Sequence, residues 1–211
     1  MRVDIWSDIG CPWCYVGKRR FENALAAFEH RDDVEVVYHS FELDPSHPTE
    51  KTVPVTEMLV GKFGMPKAQV EAAEKRLEDT AAAEGLAYDH GRHAGNTFDF
   101  HRLAHWAAEQ GKQQDLLDHA YTVHFGEAKS VHTVDALVEL AAGAGLDPDR
   151  AREVLTDKNR YADDVRADEN QARELGISGV PFYVLDMKYG VSGAQPTEVF
   201  AEALARAHSG A

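Results

Sequence analysis

The stretch "SDIGCPWCYVG", residues 7–17, holds Cys11 and Cys14, the two cysteines of the chain. Cysteines at this spacing fit a redox pair, half of a metal site, or two small apolar residues. Their flanks bear on the choice. "VDIWS", residues 3–7, alternates Val3, Ile5 and Ser7 against Asp4 and Trp6, which predicts a strand. "YVGKRRFENALAAFEH" carries Phe21, Leu25 and Phe28 at helical spacing, and "VEVVYHSFEL", residues 34–43, is rich in β-branched and aromatic residues. Strand, helix and strand within so short a span predict a βαβ unit with a parallel pair.

A Cys-x-x-Cys pair between a strand and a helix puts its first cysteine at the helix N-terminus. There, unpaired N–H groups and the positive dipole end stabilise a thiolate. Such a setting lowers a thiol from about 8.5 to somewhere between ~3.5 and ~7.5. Cys11 is therefore the expected nucleophile and Cys14 the resolving thiol. A zinc site needs about four ligands, yet no second Cys-x-x-Cys exists. His101 and His105 lie at ligand-compatible spacing, but Arg102, not Glu, follows His101. No metal is expected.

The 211 residues suit one large domain, or one domain with an insertion. Hydrophobic residues make up 44% and charged residues 27%, the balance of a globular protein without a membrane partner. No apolar run approaches a membrane span. "MRVDIWSDIG" does not read as a signal peptide, so a cytoplasmic location is expected. A formal net charge of −14 repels phosphate backbones, so nucleic acid is not an expected partner. Two cysteines cannot form a disulfide framework, and a bridge between Cys11 and Cys14 would close a very small loop, better suited to being made and broken.

Three segments follow: 1–48 as the first half of a sheet domain, 49–160 as a helical insertion, and 161–211 as the second half. In the insertion, helices are expected in "MPKAQVEAAEKRLEDTAAAEG" with Pro66 near N1, "FDFHRLAHWAAEQG", "QQDLLDHAYTVHFG", "TVDALVELAAGAG" with Thr133 as N-cap, and "DPDRAREVL" with Asp147 as N-cap and Pro148 at N1. The last segment reads as a helix ("YADDVRADENQARELG"), a hairpin ("VPFYVLD" and "YGVSG" around "MK") and a closing helix with Thr197 as N-cap. Without the insertion, this is the element order of a thioredoxin fold. In that fold the Pro181 position of "GVPFYV", residues 179–184, faces the cysteines through a cis X-Pro bond, and the backbone of Val180 is free to pair with an extended substrate.

On "CPWCYVG", "FELDP", "NTFDFHRLAHWA", "GVPFYV" and "VSGAQP", in that order, the chain resembles the DsbA-like thioredoxin-fold superfamily. Within it the chain is most similar to the FrnE-type branch, which adjoins kappa-class glutathione transferases and 2-hydroxychromene-2-carboxylate isomerases. The resemblance implies an α/β thioredoxin-like fold with an all-helical insertion. It also implies a thiol–disulfide oxidoreductase using Cys11-Pro12-Trp13-Cys14, with a protein or small-molecule thiol or disulfide as partner. The transferases and isomerases carry a serine at the Cys11 position; a glutathione-dependent transferase or isomerase acting on a small aromatic compound is thus the alternative. No tightly bound cofactor is implied, glutathione is a possible co-substrate, and a homodimer is plausible. Pro12, Trp13, Val180 and Pro181 are the implied substrate contacts. Asn96, in the family's "NT" motif with Thr97, either contacts substrate or glutathione or caps a helix.

Two departures matter. Strongly oxidising relatives have Pro-His between the cysteines. Pro12-Trp13 lacks that cationic contribution, so a potential between ~−120 and ~−270 mV is expected. Relatives also carry an acid on the first strand beneath the cysteines; here either Asp4 or Ile5 occupies that place.

Overall fold

The computed structural model describes residues 1–210. The chain divides into two compact units: Met1–Leu43 together with the chain from Arg166 onward, and Asp44–Val165 between them in sequence. The sequence-based limits, 48/49 and 160/161, lie a few residues inside the second unit.

The first unit is built on a four-stranded sheet in the order β2-β1-β5-β6, from β1 (Arg2–Ser7), β2 (Glu35–Ser40), β5 (Phe182–Leu185) and β6 (Tyr189–Ser192). The parallel pairing of β1 with β2 is the expected βαβ arrangement, with Ile5 opposite Tyr38 and Trp6 opposite His39. On its other edge β1 runs antiparallel to β5, with Ile5 opposite Tyr183 and Asp4 opposite Val184. A central strand between two layers is buried on both faces, and here everything from Val3 to Ser7 is. The strand's alternation therefore separates two environments rather than an inside and an outside.

One face is covered by α1 (Pro12–Ala27) and α9 (Thr197–Ser209), which pack on each other. Phe21 of α1 and Phe200 of α9 close on Tyr183, with ring centroids 5.4 and 4.6 Å from it. On the other face Trp6 and Val184 pack with Ala172 of α8 (Ala162–Glu174) and with Ile177. The β5–β6 hairpin turns through Asp186 and Met187, both in the left-handed region at φ 48° and 54°, and Lys188 N–H closes on the Leu185 carbonyl. Asp186 thus belongs to the turn and not to the strand. Thr197 is the first helical residue of α9, and Pro196 occupies the cap position without a side-chain bond.

The second unit contains α2 (Val55–Phe63), α3 (Lys67–Ala83), α4 (Phe98–Glu109), α5 (Gln113–Tyr121), α6 (Val134–Gly143) and α7 (Pro148–Thr156). It also holds a short antiparallel ladder of β3 (Val53–Pro54) and β4 (His93–Ala94). Thr133 and Asp147 cap α6 and α7 as expected: Thr133 accepts from Ala136 N–H, and Asp147 from the N–H groups of Asp149 and Arg150. Pro66 takes the N-cap place of α3 rather than N1. Helix α2 and the ladder were not expected, and the segment after α5 winds as a π-helical turn, Thr122–Gly126. Among the described residues no helix is long and apolar enough to cross a membrane.

Candidate redox site

Strand β1 ends at Ser7, and the chain turns through Asp8–Gly10 into α1. The turn is tied at three points. Cys11 N–H donates to the Asp8 carbonyl at 3.1 Å. Gly10 N–H donates to Asp8 Oδ1 at 3.1 Å, and Leu43 N–H, arriving from beyond β2, donates to Asp8 Oδ2 at 2.7 Å. Proline at N1 needs no N–H there and is pre-set for the first helical turn, so Pro12 starts α1 and Cys11 falls on its N-cap with extended backbone, φ −93° and ψ 112°. The N–H groups of Cys14 and Tyr15 turn back to the Cys11 carbonyl at 3.0 and 3.4 Å.

Both cysteines are free thiols, Cys11 4% and Cys14 2% exposed, while Trp13 between them is 42% exposed. Pro12 is half-buried. The segment before β5 supplies the second side of the site. The Val180–Pro181 bond is cis, and Cys11 Sγ donates to the Val180 carbonyl at 3.6 Å. Helix α1 approaches this segment closely: a Cβ on Gly17 would sit 2.7 Å from Tyr183 Oη and 3.0 Å from Pro181 Cγ.

Electrostatics separate the two sulfurs. Burial pushes the Cys14 thiol well above the usual range, and its hydrogen bond with Cys11, the charge of Cys11 and the charge of Asp8 push the same way; a backbone hydrogen bond from Asp8 opposes them. Tyr183, on the sheet beneath α1, is likewise raised by burial and then by the charges of Cys14, Cys11 and Glu22. Glu22 is ion-paired with Lys18, a buried lysine whose Nζ lies 5.9 Å from the Tyr38 ring.

Cys11, Pro12, Trp13, Cys14, Val180 and Pro181 therefore meet in one place. Asn96 belongs to the helical unit, where its amide is engaged locally: Nδ2 donates to the His47 carbonyl at 3.1 Å and Oδ1 accepts from Phe98 N–H at 3.0 Å. This is a turn at the start of α4, although Thr97 holds the cap position itself.

The question of the acid beneath the cysteines resolves by strand parity. Ile5 lies level with Tyr183 on the α1 face, and Asp4 points to the opposite face. There Asp4 Oδ1 meets His39 Nε2 at 2.7 Å, His39 Nδ1 meets Asp168 Oδ1 at 2.7 Å, and Trp6 stacks on the imidazole at 4.5 Å. The residues that sequence reading passed over are Asp8, Lys18 and Tyr183. Asp8 has a visible signal, an acid between a strand and a Cys-x-x-Cys; Tyr183 has one in its register two places after Pro181. Among the described residues no group of three or more His, Cys, Asp or Glu side chains is arranged to hold a metal ion.

A sheet flanked by helices, with a Cys-x-x-Cys on the first helix and an X-Pro segment against it, defines the thioredoxin-fold class with a helical insertion. Residues 2–205 match the model of the DSBA-like thioredoxin domain, and the chain belongs to that family. It is similar to a protein described as a probable DsbA oxidoreductase from Streptomyces coelicolor, with 57% identity and TM-score 0.96 over 99% of this chain and 90% of that one. It shares its fold with the cytosolic disulfide reductase DsbM from Pseudomonas aeruginosa, solved with GSH, at 17% identity and TM-score 0.66 over 99% of this chain and 100% of that one. The uncharacterized protein YwbO of Bacillus subtilis (strain 168) is 26% identical over 204 residues, 97% of this chain and 96% of its own.

Proposed function

We propose that this DsbA-like oxidoreductase exchanges disulfides through Cys11, with Cys14 as the resolving thiol. The observation that carries the reading is the asymmetry of the pair. Cys11 holds the N-cap of α1 with its sulfur against the Val180 carbonyl, while Cys14 lies in the first turn of α1, where burial pushes its thiol up. In the reducing direction, Cys11 thiolate attacks a substrate disulfide, forming a mixed disulfide and releasing one substrate thiolate. Cys14 then loses its proton and attacks the Cys11 sulfur. The Cys11–Cys14 bond forms, the second substrate thiolate leaves and takes up a proton, and two electrons have passed to the substrate. The oxidising direction is the reverse.

The exposed Trp13 ring and the Val180 backbone are the proposed contacts for an extended partner. Glutathione is the proposed thiol that restores the dithiol, in a cytoplasmic setting; the glutathione-bound DsbM of the same fold supports this choice. Reduction of insulin disulfides by glutathione tests the reading. Wild type should accelerate it, Cys11→Ser should abolish the acceleration, and Cys14→Ser should accumulate a mixed disulfide. Equal activity of wild type and Cys11→Ser refutes it.

A further inference from the structure

The helical unit holds a cavity of about 560 Å³, lined wholly by its own residues and of the size that takes a small molecule. Its apolar wall is Trp106 of α4 with Leu146 and Val154, all three buried. Trp106 is 8% exposed, and among the described residues its indole N–H has no hydrogen-bond acceptor. A buried indole N–H ordinarily finds one. Arg160 lines the same cavity with an exposed side chain, and among the described residues its guanidinium is neither ion-paired nor hydrogen-bonded.

The Arg160 backbone, by contrast, is fixed. Its N–H donates to the Asp157 carbonyl at 3.2 Å, and its carbonyl accepts Nε of the buried Arg102 at 2.8 Å. Tyr161 beside it sits in the left-handed region at φ 57°, an unfavourable place for a bulky residue, and donates its hydroxyl to Glu109 at 2.7 Å. The other charges lining the cavity are committed too. Lys112 pairs with Asp115 and Arg150 with Glu153, each at 2.7 Å. Asp147 accepts the N–H groups of Asp149 and Arg150 at the start of α7. Two donors without acceptors of their own, one of them cationic, thus line one partly apolar cavity.

The geometry points to a binding site for a small monocarboxylate with an apolar body, its carboxylate on Arg160 and the Trp106 N–H and its body on Leu146 and Val154. A carboxylate is the acceptor-only group that suits both donors, and its bond to a guanidinium is charge-assisted. Glu109 and Asp147 in the same wall oppose a second negative charge, so the site favours a monoanion over a phosphate dianion. Neither cysteine takes part, and the site stands or falls apart from the exchange chemistry.

Hexanoate titrated into the full, isotope-labelled chain tests this by nuclear magnetic resonance. The Trp106 indole N–H resonance, assigned through its own backbone, should shift saturably with a midpoint near ~1 mM. That of Trp6, bonded to the Asp168 carbonyl, should stay in place. Arg160→Gln keeps the backbone bonds of the turn and should weaken binding about tenfold or more. Hexanamide lacks the charge and acetate lacks the body, and each should bind about tenfold more weakly than hexanoate or worse. The inference is overturned by the absence of a saturable shift at Trp106 or by equal affinity in Arg160→Gln. Hexanamide or acetate binding as well as hexanoate, or inorganic phosphate binding more tightly, overturns it equally.

Discussion

Asp168→Asn should destabilise the sheet unit most at low pH and remove the fall in stability with rising pH that His39 gives it. In the wild type, His39 lies between two carboxylates, with 2.7 Å from Nδ1 to Asp168 and 2.7 Å from Nε2 to Asp4. Carboxylates only accept, so both ring nitrogens must carry protons and the ring is an imidazolium. Burial disfavours that charge, but the bond and charge of Asp168, and then those of Asp4, outweigh it and raise His39 above the usual imidazole range. The second Asp168 oxygen accepts Ser40 N–H at 2.8 Å, and Arg2 closes the far end on Asp4 at 2.7 Å. A folded-state value above the unfolded one contributes stability that is complete below about pH 6.5, and it is lost as pH rises through the folded value. The loss is at most about 1.4 kcal/mol per pH unit.

Asparagine at 168 has one acceptor for two donors. If its oxygen keeps Ser40 N–H, its amide N–H₂ faces Nδ1, and the ring must shed a proton to accept. If the amide flips, Ser40 N–H loses its acceptor instead. Removing one partner of a buried charge pair costs about 3 kcal/mol or somewhat more, and that is the expected loss near pH ~6. Above pH ~6.5 the gap should narrow by up to about 1.4 kcal/mol per unit, because the wild type then gives up the same stabilisation. Urea unfolding of both proteins from pH ~5.5 to ~8.5 measures this, and the difference curve removes every group the two chains share. Parallel curves, or a wild type whose advantage grows with pH, would refute the imidazolium clamp.

Gly17→Ala should destabilise by about 1–3 kcal/mol despite the better helix former, since the new Cβ meets Tyr183 Oη at 2.7 Å. Tyr183→Phe added to it should recover part of the loss, and a Gly17→Ala protein as stable as wild type by urea unfolding counts against the close approach. Arg102 is fully buried; it donates to the carbonyls of Val154, Asp157 and Arg160 and pairs with Asp99. Arg102→Met should cost about 3 kcal/mol or more by the same measurement, because three carbonyls lose their charged donor. A loss below about 1 kcal/mol would show that those carbonyls find other partners.

What could be read from the chain follows from what is local. The strands announced themselves by β-branched and aromatic runs, α1 by Phe21 and Leu25, and α6 and α7 by Thr133 and Asp147, whose side chains cap within three residues. Elements that depend on distant partners did not. β3 exists because Val53 pairs with Ala94, and two residues carry no period. In α2 only Val55 is buried, so Met58, Leu59, Val60 and Phe63 trace no face turned to a core. The helical pattern continues through Phe125, and only hydrogen bonding distinguishes the π turn from α-helix.

The site divides along the same line. Cys11, Cys14 and Pro12 lie in one turn, and the order of elements brings Val180 and Pro181 to it. The ionisable neighbours required three dimensions, because a period of two tells that Asp4 and Ile5 face opposite ways without telling which faces α1. On a strand buried from both sides each polar side chain must find a partner in its own layer. Asp4 finds His39 and Arg2 there and is unavailable to the cysteines. The α1 layer is left with Ile5 and the phenol of Tyr183, and its carboxylate can come only from outside the strand. Asp8, in the loop that follows β1, is held by Leu43 N–H, a donor 35 residues away in the chain that arrives only when β2 has paired with β1.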